Sequence, residues 1–184
     1  MKKSIFLIFI FYSVLFGFDY DAKFYVGLGG GYQVENFTKE VDAQNSPYFG
    51  SIKFGYGDIR AYAVELVLNY IDNKSNIFSP DDKQRYGLDV MFLKSLNISK
   101  YFYPYARVGL GAGEMKVDRK TEDKLGYSSF NAGFGVFVPV FNHIDLEANY
   151  EYRFTSYESV DLIDHKVKLQ SHVNQFYIGI NTRF

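Results

Sequence analysis

The segment IDLEANYEYRF, residues 144–154, alternates apolar and polar side chains without interruption. Ile144 and Leu146 belong to the apolar set, and Asp145 and Glu147 belong to the polar set. A period of two places such sets on opposite faces of a β-strand. One face of this strand is therefore apolar along its length and the other is charged, which indicates a strand between two very different environments.

The same alternation occurs in seven further segments. They are residues 24–34, 48–56, 61–70, 86–93, 105–113, 129–138 and 175–184. Each has about the 9–11 residues that a tilted strand needs to cross a bilayer. Long polar connections near 35–46, 71–85, 117–126 and 155–172 alternate with tighter ones at 57–60, 96–104 and 139–143. This order predicts an all-β fold, an eight-stranded antiparallel up-and-down transmembrane β-barrel.

The N-terminus has the features of an export signal. Lys2 and Lys3 precede an apolar run from Ile5 to Phe16. The run is as long as the apolar region of a secretory signal peptide and shorter than the roughly 20 residues of a membrane-spanning helix. We therefore predict a cleavable signal peptide over residues 1–18, with an uncleaved anchor as the alternative. Residues 19–184 then form the barrel domain, exported across the inner membrane.

The composition excludes several classes of function. The chain has no cysteine, so disulfides, cysteine-ligated zinc, iron–sulfur clusters and a thiol nucleophile are ruled out. A formal net charge of −1 gives no basis for binding nucleic acid. Aromatic residues make up 20% of the chain, with 17 tyrosines and 19 phenylalanines but no tryptophan. No metal or cofactor site is predicted.

The alternation alone does not say which face meets lipid, because a lipocalin-like soluble barrel has the same period with its apolar face inward. Glycines on the polar face favour a crowded polar interior, where small residues make room for larger neighbours. They are Gly27, Gly29, Gly31, Gly109, Gly111, Gly113, Gly133 and Gly135. Charge favours the same assignment, because the polar faces carry a nearly balanced set, as a narrow lumen requires. The set is Lys53, Glu65, Asp89, Arg107, Asp145, Glu147, Glu151, Arg153 and Arg183.

These charged side chains have two interpretations. In the first, the arginines pair with the acids and plug the lumen; in the second, the charges line a path for ions or solutes. The pairing predicted for the plug joins Arg107, Arg153 and Arg183 to Glu65, Asp89, Glu147 and Glu151. Eight strands enclose an interior just wide enough for side chains to fill, so the plug is favoured.

Tyrosines cluster at the ends of the apolar faces, whereas valine, leucine and isoleucine occupy the middles. The tyrosines are Tyr32, Tyr48, Tyr56, Tyr62, Tyr70, Tyr86 and Tyr152. Because a ring with a polar tip prefers the headgroup level of a bilayer, this pattern predicts two aromatic girdles around an aliphatic band.

Three stretches carry a family resemblance: Pro104-Tyr105 followed by Gly109, Gly111 and Gly113, the run 146–152, and the alternating last strand 178–184. With them the chain resembles the small eight-stranded outer-membrane barrels, the OmpA/OmpX-like and opacity-protein group of the porin family. The resemblance implies a signal for the barrel-assembly machinery in the last strand, at Phe176, Ile178, Ile180 and Phe184. It also implies periplasmic chaperones as partners, and outer-membrane lipid and lipopolysaccharide as surroundings.

The function implied by this resemblance is a monomeric protein of the cell envelope that contacts host-surface molecules through its extracellular connections. A narrow channel for small or hydrophobic solutes is the alternative, and a lipid-modifying barrel enzyme is a third class. The histidines are His143 in a short turn and His165 and His172 in the last long connection. Ser171 precedes His172, but adjacent strand residues point to opposite faces and form a poor catalytic pair. No enzymatic activity is therefore expected.

Overall fold

A computed structural model of the protein describes residues 21–38, 44–73, 84–116, 124–158, 160–162, 165–167 and 169–184. The predicted signal peptide, residues 1–18, lies outside these ranges. The strands are β1 (Lys23–Phe37), β2 (Gln44–Asn45), β3 (Tyr48–Gly57), β4 (Tyr62–Asp72), β5 (Gln84–Ser95), β6 (Tyr103–Lys116), β7 (Lys124–Phe141), β8 (Ile144–Tyr157), β9 (Val160–Leu162), β10 (His165–Val167) and β11 (Gln170–Arg183). Within these ranges no helix is long and apolar enough to cross a membrane.

Eight of these strands form a closed barrel. The order around it is β1, β3, β4, β5, β6, β7, β8 and β11, all pairs are antiparallel, and β11 pairs with β1. In this closing pair the register is continuous from Tyr25 opposite Arg183 to Phe37 opposite Ser171. The predicted eight-stranded up-and-down barrel is therefore confirmed. The small β2 adds to the end of β1, and β9 and β10 form a hairpin within the last long connection.

The strands extend further toward the long connections than the sequence predicted. Glu35 of β1 and Arg85 of β5 were assigned to long connections, yet both are paired strand residues with buried side chains. The position predicted for His172 is wrong in the same way, because this residue lies in β11 opposite Asn36 and Phe154. Backbone pairing thus continues beyond the part of each strand that has an apolar outer face.

Successive side chains along each strand alternate between the exposed outer surface and the buried interior of the barrel. In β4, Leu66 and Leu68 are 40% and 44% exposed, whereas Val67 between them is 3% exposed. In β11, Ile178 is exposed and Tyr177 is buried. In the central part of the strands the outward rows are aliphatic and aromatic and the inward rows contain the buried charges, which is the reverse of a soluble barrel.

Apolar side chains also fill part of the interior, in three clusters. The smallest contains Phe49, Ile71 and Tyr177, and the two larger ones lie toward the two ends of the barrel. The cluster near the short turns contains Tyr25, Ile59, Ala63, Val67, Met91, Leu93, Tyr103, Tyr105 and Phe137. The cluster near the long connections contains Phe37, Met115, Leu125, Tyr127, Tyr157 and Leu169. The buried charges are interspersed with these clusters, since Glu147 lies opposite Phe137, Arg107 opposite Leu93 and Lys53 opposite Val67.

Candidate functional site

The carboxylate of Glu147 is the centre of a buried polar network. It accepts hydrogen bonds from Lys53 at 2.6 Å and from the Tyr105 hydroxyl at 2.5 Å. The side-chain amides of Asn149 and Asn181 each donate to it at 3.0 Å. These donors come from β3, β6, β8 and β11, so one carboxylate connects walls on opposite sides of the barrel.

Two arginines connect the remaining acids. Arg107 lies 2.8 Å from Glu151 and 3.7 Å from Glu65. Arg153 lies 2.6 Å from Asp89 and 3.3 Å from Glu151. Glu151 is therefore shared between two guanidinium groups. Such pairs need good geometry and further hydrogen bonds, because removing charges from water is expensive.

A second polar cluster, which sequence reasoning missed, lies nearer the long connections. Arg85 donates two hydrogen bonds to the Glu35 carboxylate, at 3.0 and 2.8 Å. The hydroxyls of Tyr157 and Ser171 donate to the same carboxylate at 2.9 and 2.6 Å, and Arg85 also donates to Tyr157. Glu35 continues the inward row of β1 after Gln33, and that continuation was the available signal.

At the opposite end, the pairing predicted for Arg183 is wrong. Its guanidinium lies 2.7 Å from Asp145 at the barrel mouth and is partly exposed, so it joins none of the four deeper acids. Arg183 is one of the last residues of β11. Its side chain therefore lies at the end of the barrel, too far along the axis to reach the deeper acids. A cavity of about 460 Å³ opens at this mouth and is lined in part by Arg183, Asp58 and Arg60.

The turn between β3 and β4 is held by Asp58. Its carboxylate accepts hydrogen bonds from the Arg60 backbone N–H at 2.9 Å, from the Arg60 guanidinium at 2.7 Å and from the Asp21 N–H at 3.2 Å. Burial alone raises the pKa of the Asp58 carboxyl, but these donors outweigh burial and lower the pKa below its ordinary value. The preceding Gly57 has φ +149°, which favours glycine, and a Cβ there would lie 2.2 Å from the Tyr62 carbonyl oxygen.

Interior glycines lie beneath inward tyrosine rings. A Cβ on Gly55 would lie 2.0 Å from the Tyr25 ring, and one on Gly135 would lie 2.6 Å from the Tyr105 ring. These two tyrosines donate to Glu65 and Glu147, at 2.8 and 2.5 Å. The glycines therefore give the tyrosines the space from which they reach the buried acids.

The side chains around one internal void are closely packed. The void lined by Gln33, Arg85, Tyr127 and Arg153, among others, has no room for a water molecule. Such filling agrees with the general expectation for eight strands.

The predicted girdle tyrosines all lie on the outward rows of their strands. Tyr32 is 5.7 Å from Tyr48 between ring centroids, and Tyr70 is 5.4 Å from Tyr86. At the other end Tyr56 and Tyr62 contact the rings of Phe24 and Phe92. Tyr152 donates to or accepts from His172 at 2.5 Å. The residues of the predicted assembly signal, Phe176, Ile178, Ile180 and Phe184, are also outward and exposed.

Ser171 and His172 face opposite sides of the barrel wall. The Ser171 hydroxyl is buried on Glu35, and the His172 ring contacts Tyr152 on the outer surface. In the part of the chain that the structure describes, no three acidic or histidine side chains are grouped as metal ligands.

The fold, with its outward apolar rows, aromatic ends and charged interior, is that of a transmembrane β-barrel of the outer-membrane type. The chain matches the family model described as "Outer membrane protein beta-barrel domain" over residues 6–184, and it belongs to this family. It is therefore a protein of the outer membrane. In such barrels the short turns face the periplasm and the long connections face outward.

Solved structures share this fold at low sequence identity. Neisserial surface protein A is 17% identical, with a TM-score of 0.67 and coverage of 89% of this chain and 99% of that chain. The attachment invasion locus protein Ail of Yersinia pestis is 17% identical, with a TM-score of 0.52 and coverage of 87% and 98%. The N-terminal barrel domain of OprF from Pseudomonas aeruginosa is 14% identical, with a TM-score of 0.51 and coverage of 89% and 100%. No curated protein sequence matches the chain.

Proposed function

We propose that this protein is a non-enzymatic component of the outer membrane whose barrel is closed by its own side chains and whose extracellular connections contact other surfaces. The observation that carries the closed barrel is the cross-linked interior. Apolar clusters fill parts of it, and Glu147 accepts hydrogen bonds from side chains on four strands. In this proposal the buried charges join the strands across the interior, and no ions pass through the barrel.

The contact function rests on the asymmetry of the two ends. The long connections all leave one end of a rigid barrel, and recognition usually occurs on loops that such a scaffold holds. Most of their residues lie outside the described ranges, so the proposal rests on their position and length. Two proteins of the same fold support it through their names, a surface protein of Neisseria and an attachment invasion locus protein.

The remaining assignments complete this proposal. The outward tyrosines mark the two membrane interfaces, and the last strand is read by the barrel-assembly machinery after delivery by periplasmic chaperones. The barrel is a monomer surrounded by phospholipid and lipopolysaccharide. Because Ser171 and His172 are on opposite faces, lipid chemistry at this pair is not part of the function.

Conductance in planar bilayers tests the closed interior. We expect no steady openings from the wild-type barrel. The double variant Lys53→Ser/Glu147→Ser removes the central pair without leaving an unpaired charge, and it should show openings that the wild type lacks. The exposed pair Lys124–Glu114 provides a matched control, Lys124→Ser/Glu114→Ser, which should remain silent. Steady large openings of the wild type would contradict the plug and favour the narrow channel.

Cell binding tests the contact function separately. Residues 74–80 and 117–123 would be replaced by Gly-Ser segments of equal length, and adhesion of whole cells to host surface molecules would be compared with wild type. We expect adhesion to fall while the protein keeps its heat-modifiable mobility on gels, which reports an intact barrel. Unchanged adhesion after replacement of all four long connections would refute this part of the proposal.

A further inference from the structure

The connection between β5 and β6, residues 96–102, differs from the other two periplasmic turns. It is longer than the turns at 58–61 and 142–143, and its base is closed by a hydrogen bond from the Leu96 N–H to the Pro104 carbonyl at 2.8 Å. Beyond that bond the segment has no strand pairing, and its one described internal hydrogen bond is from the Tyr101 N–H to the Ser99 hydroxyl at 3.1 Å. The barrel does not need this length to join adjacent strands.

The side chains of this connection are apolar and exposed. Leu96, Ile98, Tyr101 and Phe102 have between 41 and 69% of their surface accessible. At the turn between β3 and β4, by contrast, Ile59 is buried in the barrel interior. Four large apolar side chains in one short periplasmic segment mark a contact surface.

Two lysines flank this apolar surface without an acidic partner. Lys94 lies on the outward row of β5 with its Nζ 3.6 Å from the centroid of the Tyr62 ring, and Lys100 lies 5.2 Å from that of Tyr101. Neither forms an ion pair with any residue that the structure describes. At the same end of the barrel, Lys23 forms an ion pair with Asp21 and Arg60 forms one with Asp58. Among the described cations at this end, Lys94 and Lys100 are therefore available to an external anion.

The position of Lys94 identifies the anion. Lys94 lies opposite Tyr62 on β4 and Ala106 on β6, in the outward row that continues along the wall as Phe92 and Val90. That row faces hydrocarbon, so its last polar member lies at the level of the phosphates of the inner leaflet. We propose that Lys94 and residues 96–102 form a binding site for an anionic phospholipid. The lysines contact its headgroup, and Leu96, Ile98, Tyr101 and Phe102 enter the leaflet beside its acyl chains.

Lipid fits this surface better than a soluble protein does. Leu96 directly follows β5 and Phe102 directly precedes β6, two strands of the lipid-facing wall. A side chain with a polar tip such as Tyr101 suits the interface. A basic residue near a membrane surface favours anionic lipid by roughly fivefold per lysine at physiological salt. Lys94 is itself a residue of the wall, and Lys100 lies beside Tyr101 in the adjoining connection.

The absence of tryptophan from the chain gives a direct test. Tyr101→Trp places a single tryptophan in the connection and keeps an aromatic ring beneath Lys100; Phe102→Trp serves if that variant does not refold. The barrel would be refolded into phosphatidylcholine vesicles that contain a minor fraction of phosphatidylglycerol, with bromine on the acyl chains of one lipid or the other. We expect the tryptophan emission to be blue-shifted. We also expect brominated phosphatidylglycerol to quench this emission several times more strongly than its fraction of the total lipid would predict.

The controls separate headgroup binding from simple insertion. Adding Lys94→Gln/Lys100→Gln to the tryptophan variant should leave the emission blue-shifted. Quenching by brominated phosphatidylglycerol should then fall to the level expected from its fraction of the lipid, and high salt should have the same effect. A tryptophan at the exposed end of β7 beside the turn at 142–143, Phe141→Trp, should show no preference in either background. Water-like emission at position 101 would overturn the proposal in favour of a protein contact. Blue-shifted emission without preference for phosphatidylglycerol would overturn it in favour of non-specific insertion. Neither result bears on the closed interior or the extracellular contacts.

Discussion

Arg85 on β5 donates two hydrogen bonds to Glu35 on β1, across an interior in which these strands are not neighbours. Removing one partner of a buried ion pair leaves an uncompensated charge, which destabilises the folded state by about 3–5 kcal/mol. We expect Arg85→Met to lower the free energy of unfolding by about that amount. Urea titration of the barrel in lipid vesicles, followed by tyrosine fluorescence, measures it.

The double variant Glu35→Leu/Arg85→Met is the matched control. No buried charge remains in it, so it should recover most of the loss seen in the single variant. The Tyr157 and Ser171 hydroxyls lose their acceptor, which limits the recovery. A double variant as unstable as Arg85→Met would contradict the role of the pair.

Gly55 provides a test of the glycine–tyrosine contacts. A methyl group there would lie 2.0 Å from the Tyr25 ring, whereas one at Gly50 of the same strand meets nothing closer than 4.0 Å. We expect Gly55→Ala to destabilise the barrel by about 1–3 kcal/mol through overpacking. Gly50→Ala should change stability by less than about 0.5 kcal/mol. Equal urea midpoints for the two variants would disprove the steric argument.

Asp58 makes a pH-dependent contribution. Its pKa is lower in the folded barrel than its ordinary value, so the stability it contributes is present above the unfolded pKa of about 3.9. That stability is lost as pH falls through the folded value. Asp58→Asn should therefore be less stable than wild type at neutral pH, and the difference should vanish well below about pH 3.

Urea midpoints at the two pH values measure this difference. The control is Asp21→Asn, which removes an exposed pair with Lys23 and should have little effect at either pH. A difference for Asp58→Asn that persists in acid would show that the carboxylate charge is not what holds the turn.

Phe184 distinguishes assembly from stability. Its side chain is 71% exposed on the outer surface, while its backbone N–H donates to the Phe24 carbonyl at 2.9 Å. We expect Phe184→Ser to refold in vitro with nearly wild-type stability but to reach the outer membrane of cells in smaller amounts. Phe134→Ser, at a similarly exposed site in β7, should assemble normally. Normal cellular assembly of Phe184→Ser would disprove the signal.

The membrane-facing part of the fold could be predicted because the bilayer imposes it. Each crossing strand needs an apolar outer row and, around a narrow lumen, an inner row of small, polar or paired charged residues. Residues 144–154 meet both requirements, and they lie in β8. The same argument gave the eight strands and their order.

The polar cluster of Glu35 and Arg85 was missed for a related physical reason. Above the hydrocarbon the outer row no longer needs to be apolar, so the alternation fades while backbone pairing continues. Only the inner row persists there, as Gln33, Glu35 and Phe37 in β1. Arg183 was paired wrongly because alternation reports the face of a residue and not its height along the axis.

The seam between β1 and β11 joins the two ends of the barrel domain. Export delivers the N-terminal strand first, and its partner on one side arrives last. Until then β1 has an unpaired edge. Its backbone amides would lack hydrogen-bond partners in hydrocarbon, and in water they would promote aggregation with other strands. We therefore expect the barrel to close only after β11 has been translocated, with the preceding strands kept unassembled in the periplasm until then.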